Sequence, residues 1–447
     1  MLSQILAGDF AWTQSWAWKS VVCALFFTLT SFLWFRLIVS IQRLQGRRDP
    51  RPVEHGNSSS KDDADDQFIT TNTAPEASME NASTTTSSRD ERGKLPNESD
   101  CILVATTGPK QRLTRADYTV GWICAIPIEL TAALALLDEE HEVPKDIPDD
   151  DENSYTLGKV EEHNIVIVIL PDPGTAAAAS VAKDLSRTFP NLRFGLMVGI
   201  GGGAPSEKHD VRLGDIVVSA PGNRNGGVFQ YDYGKTIQNR AFHTVSFLNR
   251  PPTSLLTAMN GLKSRYEIGG NTIETVINSI IEVNSRLQEF KRPHSATDRL
   301  FKSDFVHPDD GASCTKCCCK NPRNMVSRTE RTENKNTPTV HYGLIASANQ
   351  VMKDALIRDK IIADMDVLCF EMEAAGLMNQ FPCLVIRGIC DYSDSHKNKD
   401  WQKYAALAAA AYAKDLLHLL TPRQIQEEEK MSYILTSKVH EGPAVRR

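Results

Sequence analysis

Acidic side chains and a run of glycines stand where apolar segments of this chain end, and their placement points to chemistry. Glu129 follows the apolar run YTVGWICAI, and Gly199, Gly201, Gly202 and Gly203 follow FGLMV. Ser347, Asn349 and Gln350 follow HYGLIA, Glu371 and Glu373 follow DVLCF, and Asp391 closes CLVIRGIC. A carboxylate can take a proton from water, return one to a leaving group, or accept hydrogen bonds from a ligand. Glycines let backbone approach a ligand closely. Parallel sheets bind ligands at the carboxyl ends of their strands. If these runs are parallel strands, carboxylates and glycines share one crevice, as in an active site.

The elements that must position these residues are legible from periodicity. NIVIVILP, FGLMVGI, DIVVSA, HYGLIAS, DVLCF and PCLVIRGIC are continuous rather than alternating apolar runs, the mark of strands buried on both faces. PIELTAALALLD reads as a helix with Pro in its first turn, an Ala-rich helix is predicted over Thr175–Phe189, and EMEAAGLMN and WQKYAALAAAAYAKDLLHLL are helical. Residues 117–420 are therefore expected to form an α/β domain, three layers deep, around a mainly parallel mixed sheet. A polar insert over residues 291–337 interrupts it, and residues 421–447 are a charged tail. The insert holds Cys314, Cys317, Cys318 and Cys319. The CxxC spacing is half a zinc site, but Cys318 and Cys319 are too crowded to complete it easily and His307 is only a candidate fourth ligand. Reduced thiols, or a local redox pair, are expected ahead of structural zinc.

Ahead of the domain, residues 49–116 are a Ser/Thr/Asn-rich linker with too little apolar surface to fold. Its Asn57, Asn81 and Asn97 sequons are read as accidents of composition. Residues 1–48 carry an apolar stretch from Ser20 to Ile41 with Arg36 as its one charge, long enough to cross a bilayer. Arg43, Arg47, Arg48 and Arg51 follow it, so a single-pass anchor with the domain in the cytosol is expected. The 447 residues are 41% apolar and 24% charged with net charge −6. Such mild acidity argues against a nucleic-acid partner, and ten unevenly spaced cysteines argue against a secreted disulfide scaffold.

Five motifs occur in order: AIPIE at the first strand's turn, VGIGGG at 198–203 (taken as a loop), GDIVVS at 214–219, FEMEAAG at 370–376 and VIRGICDYSD at 385–394. Together, from Tyr118 to Leu417, they make the chain resemble the nucleoside phosphorylase/nucleosidase superfamily. The likeness is greatest to its methylthioadenosine/S-adenosylhomocysteine nucleosidase branch and the fungal domains of that type. The resemblance implies cleavage of a purine N-glycosidic bond through an oxocarbenium-like sugar, with no cofactor and a homodimer or higher oligomer.

Carried onto this sequence, the resemblance makes Asp391 the acid at N7 of the base, its proton retained by burial at a strand end. Glu373 would bind the ribose hydroxyls, Met372 would pack against the sugar, and Gly199 and Gly201 would line the substrate. Glu129 would activate water. Each acid also has a plainer reading, Asp391 as a helix cap and Glu129 and Glu373 as first-turn residues facing a helix dipole. Arg387 is a natural charge partner for a nearby carboxylate. Phosphorolytic relatives carry an Arg where this chain has Met197, and many relatives have a Ser at Ile200, so water is favoured over phosphate as nucleophile. Asn349, Gln350 and Val351 fall where the family recognises the base, and adenine is the best match. A methylthio group at the 5′ position would need an apolar pocket, whereas a 5′-phosphate chain would need cations such as Lys208, His209, Arg224 or Lys235. A binding-only sensor, a phosphorylase and a tethered scaffold are the alternatives.

Overall fold

The computed structural model describes residues 110–434, apart from 223–224, 241, 246–247, 309–312, 320 and 332–337. The chain divides into two units, Met1–Arg92 and Gly93–Arg447, and every described residue belongs to the second. The expected anchor and nearly all of the linker lie outside the described residues. Among the described residues no helix is long and apolar enough to cross a membrane.

The strands are β1 (Val120–Cys124), β2 (Glu139–His141), β3 (Tyr155–Val160), β4 (His163–Ile169), β5 (Phe194–Gly203), β6 (Ile216–Ser219), β7 (Val228–Gln230), β8 (Gly234–Lys235), β9 (His243–Thr244), β10 (Val340–Ser347), β11 (Val367–Glu371) and β12 (Cys383–Asp391). Their sheet runs β11-β10-β6-β12-β5-β1-β4-β3-β2, with β7 beside β10 and β8–β9 a separate hairpin. β4, β1, β5 and β12 are mutually parallel neighbours, as are β6, β10 and β11. The antiparallel pairs are β12–β6, β3–β4, β2–β3 and β11–β5. The sheet is thus mixed, as expected. The β11–β5 pairing closes a circuit β5-β12-β6-β10-β11, which brings the carboxyl ends of β11 and β12 around the end of β5.

That closure depends on the glycines. Residues 198–203, expected as a loop, complete the long strand β5. Gly202 lies opposite Asp391 of β12 and also opposite Phe370 of β11. A Cβ on Gly202 would sit 2.1 Å from Ser393 Oγ and 2.8 Å from Asp391 Oδ1. Lacking side chains there, β5 serves two strands at once.

The helices are α1 (Pro127–Leu134), α2 (Thr175–Thr188), α3 (Thr253–Gly269), α4 (Ile273–Val283), α5 (Cys314–Cys317), α6 (Ala355–Met365), α7 (Ala374–Leu377), α8 (Gln402–His418) and α9 (Pro422–Glu427). α9 falls in the tail that carried no sequence assignment. Gly121, Gly195 and Cys383 are register partners and share a face. A Cβ on Gly121 would meet Leu185 of α2. Gly388, five residues beyond Cys383, faces the other way, where its Cβ would lie 1.9 Å from the carbonyl oxygen of Ala405 in α8. The sheet therefore has helices on both faces.

The insert is held to this frame by ion pairs. Arg331 grips the buried Asp215 bidentately at 2.7 Å, and His341 Nε2 stands 2.9 Å from the same carboxylate. Burial alone would raise the Asp215 pKa, but His341 and Arg331 hold it below the usual range. Arg328 binds Asp298 at 2.9 Å and the hydroxyl of Tyr392 at 2.7 Å, next to Asp391 in sequence.

Candidate active site

β1 ends at Cys124, and Pro127 starts α1 three residues later. Glu129, in that first turn, is buried and folds back on the chain. Its Oε2 accepts the N–H of Ala125 at 2.6 Å and of Ile126 at 3.2 Å, while Oε1 accepts the N–H of Ile200 at 2.8 Å. It therefore caps its helix and also reaches the end of β5. A Cβ on Gly199 would lie 2.2 Å from Glu129 Oε1 and 2.5 Å from Arg387 Nη1. Glycine keeps that approach open. Burial raises the Glu129 pKa against the opposing pull of Arg387 and the three N–H groups.

Arg387, fully buried in β12, joins the acids. Its Nη2 binds Glu371 Oε2 and, at 3.0 Å, Glu373 Oε2, while Nη1 lies 3.9 Å from Glu129 Oε1. Burial works against its charge, but Glu371, Glu373 and Glu129 outweigh it and raise its pKa. Nε and Nη1 have no hydrogen-bond partner among the described residues. Glu371 also accepts the N–H groups of Glu373 and Ala374 at 3.1 and 3.0 Å, which starts α7. EMEAAGLMN is consequently helical only over Ala374–Leu377. Glu373 is pushed up to about 7, chiefly by burial and then by Glu371 and Glu129, against the pull of Arg387.

Asp391 does not rest on burial alone, as the sequence suggested. Its Oδ2 takes a 2.9 Å contact from Lys397 Nζ and a 3.2 Å contact from Cys390 Sγ, and its Oδ1 accepts the N–H of Ser393 at 2.9 Å. Burial opposes the Lys397 charge, yet Asp391 keeps the ammonium pKa above its ordinary value.

One cavity of about 160 Å³ gathers most of these groups. Glu129, Glu371 and Glu373 form its acidic wall, Ala125, Ile126, Pro173, Ile200, Val351, Met352, Phe370 and Met372 its apolar lining, and Gly201, Gly202, Gln350, Cys390, Ser393 and Lys397 the rest. Gly199 and Arg387 stand behind the acids rather than on the surface. Asn349 is not on it either; its N–H donates to Asp232 at 2.8 Å. Asp391 lines a neighbouring cavity, with Lys397 common to both. Of the candidate cations for a 5′-phosphate, Lys208 and His209 face Asp366 at 3.6 and 3.3 Å, and Lys235 is exposed on β8. None of these three lines the cavity, and Arg224 lies outside the described residues. Phe370, Met352 and Lys397 escaped the sequence reading. Phe370 lies inside a strand that reads as core, and Lys397 in a loop whose charges look solvated.

No family model matches the chain. It is 48% identical over 314 residues to a nucleotide-binding leucine-rich repeat (NLR)-like protein of Hyaloscypha variabilis, covering 70% of this chain but 30% of that protein. It is 24% identical over 312 residues to the 5′-methylthioadenosine/S-adenosylhomocysteine nucleosidase of Mycobacterium tuberculosis, covering 68% of this chain and 96% of the enzyme. The chain resembles that nucleosidase branch. The solved Neisseria meningitidis nucleosidase of the same name, in complex with methylthio-immucillin-A, matches this nucleosidase-like chain at 16% identity and a TM-score of 0.44, covering 68% and 99% of the two chains. The futalosine hydrolase of Helicobacter pylori matches at 15% and 0.42, covering 68% and 99%.

Proposed function

We propose that this chain hydrolyses the N-glycosidic bond of a purine nucleoside, adenine being the base that the resemblance favours. The observation that carries this reading is the single cavity wall on which Glu129 and Glu373 meet, tied together by Arg387. Glu129 takes a proton from water as its oxygen bonds to C1′ of the sugar. Glu373 holds the ribose hydroxyls, and positive charge building on the sugar is stabilised by the acidic wall. The bond from C1′ to the base breaks with its electron pair moving to the base, which is protonated at N7. Asp391 delivers that proton, and the Lys397 ammonium at the cavity edge offsets the negative charge left on its carboxylate. Phe370, Met352 and Val351 offer apolar surface to a flat base.

Phosphate is disfavoured as nucleophile because Met197 is buried in β5 and Arg387 stands behind the acids, with Nη2 bound to Glu371 and Glu373 and Nη1 turned toward Glu129. Among the described residues Lys397 is the one cation on a lining that carries three carboxylates, which favours a nucleoside with an uncharged 5′ group over a nucleotide. The Hyaloscypha relative, by its name a nucleotide-binding protein, supports a second reading in which the domain senses its ligand for a larger protein. In either reading residues 20–41 tether it to the cytosolic side of a membrane and it works as a homodimer or higher oligomer. Carbonate extraction of cell membranes and light scattering test those two points.

The deciding experiment incubates the full chain with adenosine, methylthioadenosine and ATP, with and without phosphate, and follows free adenine by chromatography. Adenine released from a nucleoside without phosphate, and lost in Asp391→Asn, is the expected result. Release only with phosphate would make it a phosphorylase, and binding without release would leave the sensor.

A further inference from the structure

The cysteine-bearing insert plays no part in the reaction above, yet it packs against the loop that carries Asp391. A ring nitrogen of His307, Cys314 Sγ and Cys318 Sγ lie within 4.8 Å of one another. Cys317 Sγ joins them, 3.4 Å from His307 Nε2 and 3.2 Å from Cys318 Sγ. In a tetrahedral zinc site with Zn–S of about 2.3 Å and Zn–N of about 2.0 Å, neighbouring ligand atoms stand about 3.5–3.8 Å apart. His307, Cys314 and Cys318 thus stand within about 1 Å of ligand spacing, Cys317 adjoins them through His307 and Cys318, and all four residues come from the insert. Cys319, by contrast, faces away and takes a 2.9 Å contact from Arg299 Nη1. None of the described cysteines is in a disulfide. The crowding of Cys318 and Cys319 is relieved by the short helix α5, which turns Cys318 toward Cys314 and leaves Cys319 against Arg299.

A second observation lies beside the thiols. His396 is buried, stacks on Phe301 with ring centroids 4.0 Å apart, and meets the His307 ring nearly edge-on at 5.3 Å. Neither of its ring nitrogens has a hydrogen-bond partner among the described residues. Buried polar atoms without partners are rare and call for an explanation beyond packing.

We propose that His307, Cys314, Cys317 and Cys318 bind one borderline-soft divalent cation, zinc by preference, as a structural site that clamps the insert to the catalytic loop. Three thiolates and one imidazole select zinc over hard cations such as magnesium or calcium. The clamp has contacts to act through: the His307 N–H donates to Ser395 Oγ at 2.9 Å, and Cys314 Sγ lies 3.6 Å from the His396 carbonyl oxygen. Both partners sit between Asp391 and Lys397 in sequence. Metal binding would fix the loop that holds these two groups together.

The test purifies the full chain under reducing conditions, measures metal by mass spectrometry, and replaces it with cobalt(II). About one zinc per chain is expected, with a cobalt spectrum showing thiolate charge transfer and tetrahedral d–d bands. Cys314→Ser should lower zinc content about tenfold, while Cys319→Ser should leave it unchanged. If Cys314→Ser does not fold, cobalt titration of the unmodified chain, with release on thiol alkylation, separates the same two outcomes. Zinc below about a tenth of an equivalent together with no cobalt spectrum overturns the proposal. So does loss of zinc from Cys319→Ser to the same extent as from Cys314→Ser.

Discussion

Arg387 is the residue on which the acidic wall depends, because three carboxylates this close would not stay together without a buried cation among them. Glu129 caps α1 and faces the cavity, and one substitution separates the two roles. Glu129→Gln should lower kcat for base release about 10²–10⁴-fold while nucleoside binding persists; a cap alone would cost about 1 kcal/mol of stability and leave kcat untouched. Glu373 should set a pH dependence. Its pKa in the folded chain, about 7, lies above the ordinary 4.5, so its contribution to stability is full below 4.5 and lost as pH rises through 7. Urea unfolding should therefore show wild type losing up to about 3 kcal/mol relative to Glu373→Gln between those values, then running parallel to it. Lys397→Met should reduce kcat at least about tenfold with KM little changed, and Lys397→Arg should recover part of it. Glu129, Glu373 and Asp391 were legible because acids closing apolar runs stand out. Lys397 was not, since a lysine in a polar loop looks the same whether or not it folds back on an aspartate.

At the scale of elements, most strands and the helices at 127–134, 175–188 and 402–418 could be read from the apolar runs, because burial on both faces leaves an unmistakable record. The glycines of β5 misled for a physical reason. Sequence pattern treats glycine as a chain breaker, whereas here it permits a strand to lie against two neighbours where no side chain would fit. The same absence of side chains decides the contact between sheet and α8. Gly388→Ala would place a methyl group against the backbone of Ala405, which cannot swing aside as a flexible side chain can. Thermal or urea unfolding should show a loss of about 1–3 kcal/mol, with the site chemistry otherwise intact.

For the molecule as a whole, closure of the β5-β12-β6-β10-β11 circuit was invisible because the β11–β5 contact pairs residues far apart in the chain. The insert was visible only as a break in pattern; that it is bolted to Asp215 through Arg331 could not be foreseen from a stretch of charges. Arg331→Met should leave a buried carboxylate with His341 as its remaining side-chain partner among the described residues and lower stability by about 3–5 kcal/mol. Limited proteolysis should then cut first within the insert, ahead of the sheet.

Lys397 borders two cavities. Whatever settles in the second cavity and displaces that ammonium changes the affinity of the first cavity for its own occupant. Thermodynamics requires the effect to run equally in reverse: if one ligand weakens the other tenfold, it is itself weakened tenfold. A single side chain thus makes the two spaces one linked system, and an effector of this protein need never touch the bond being broken.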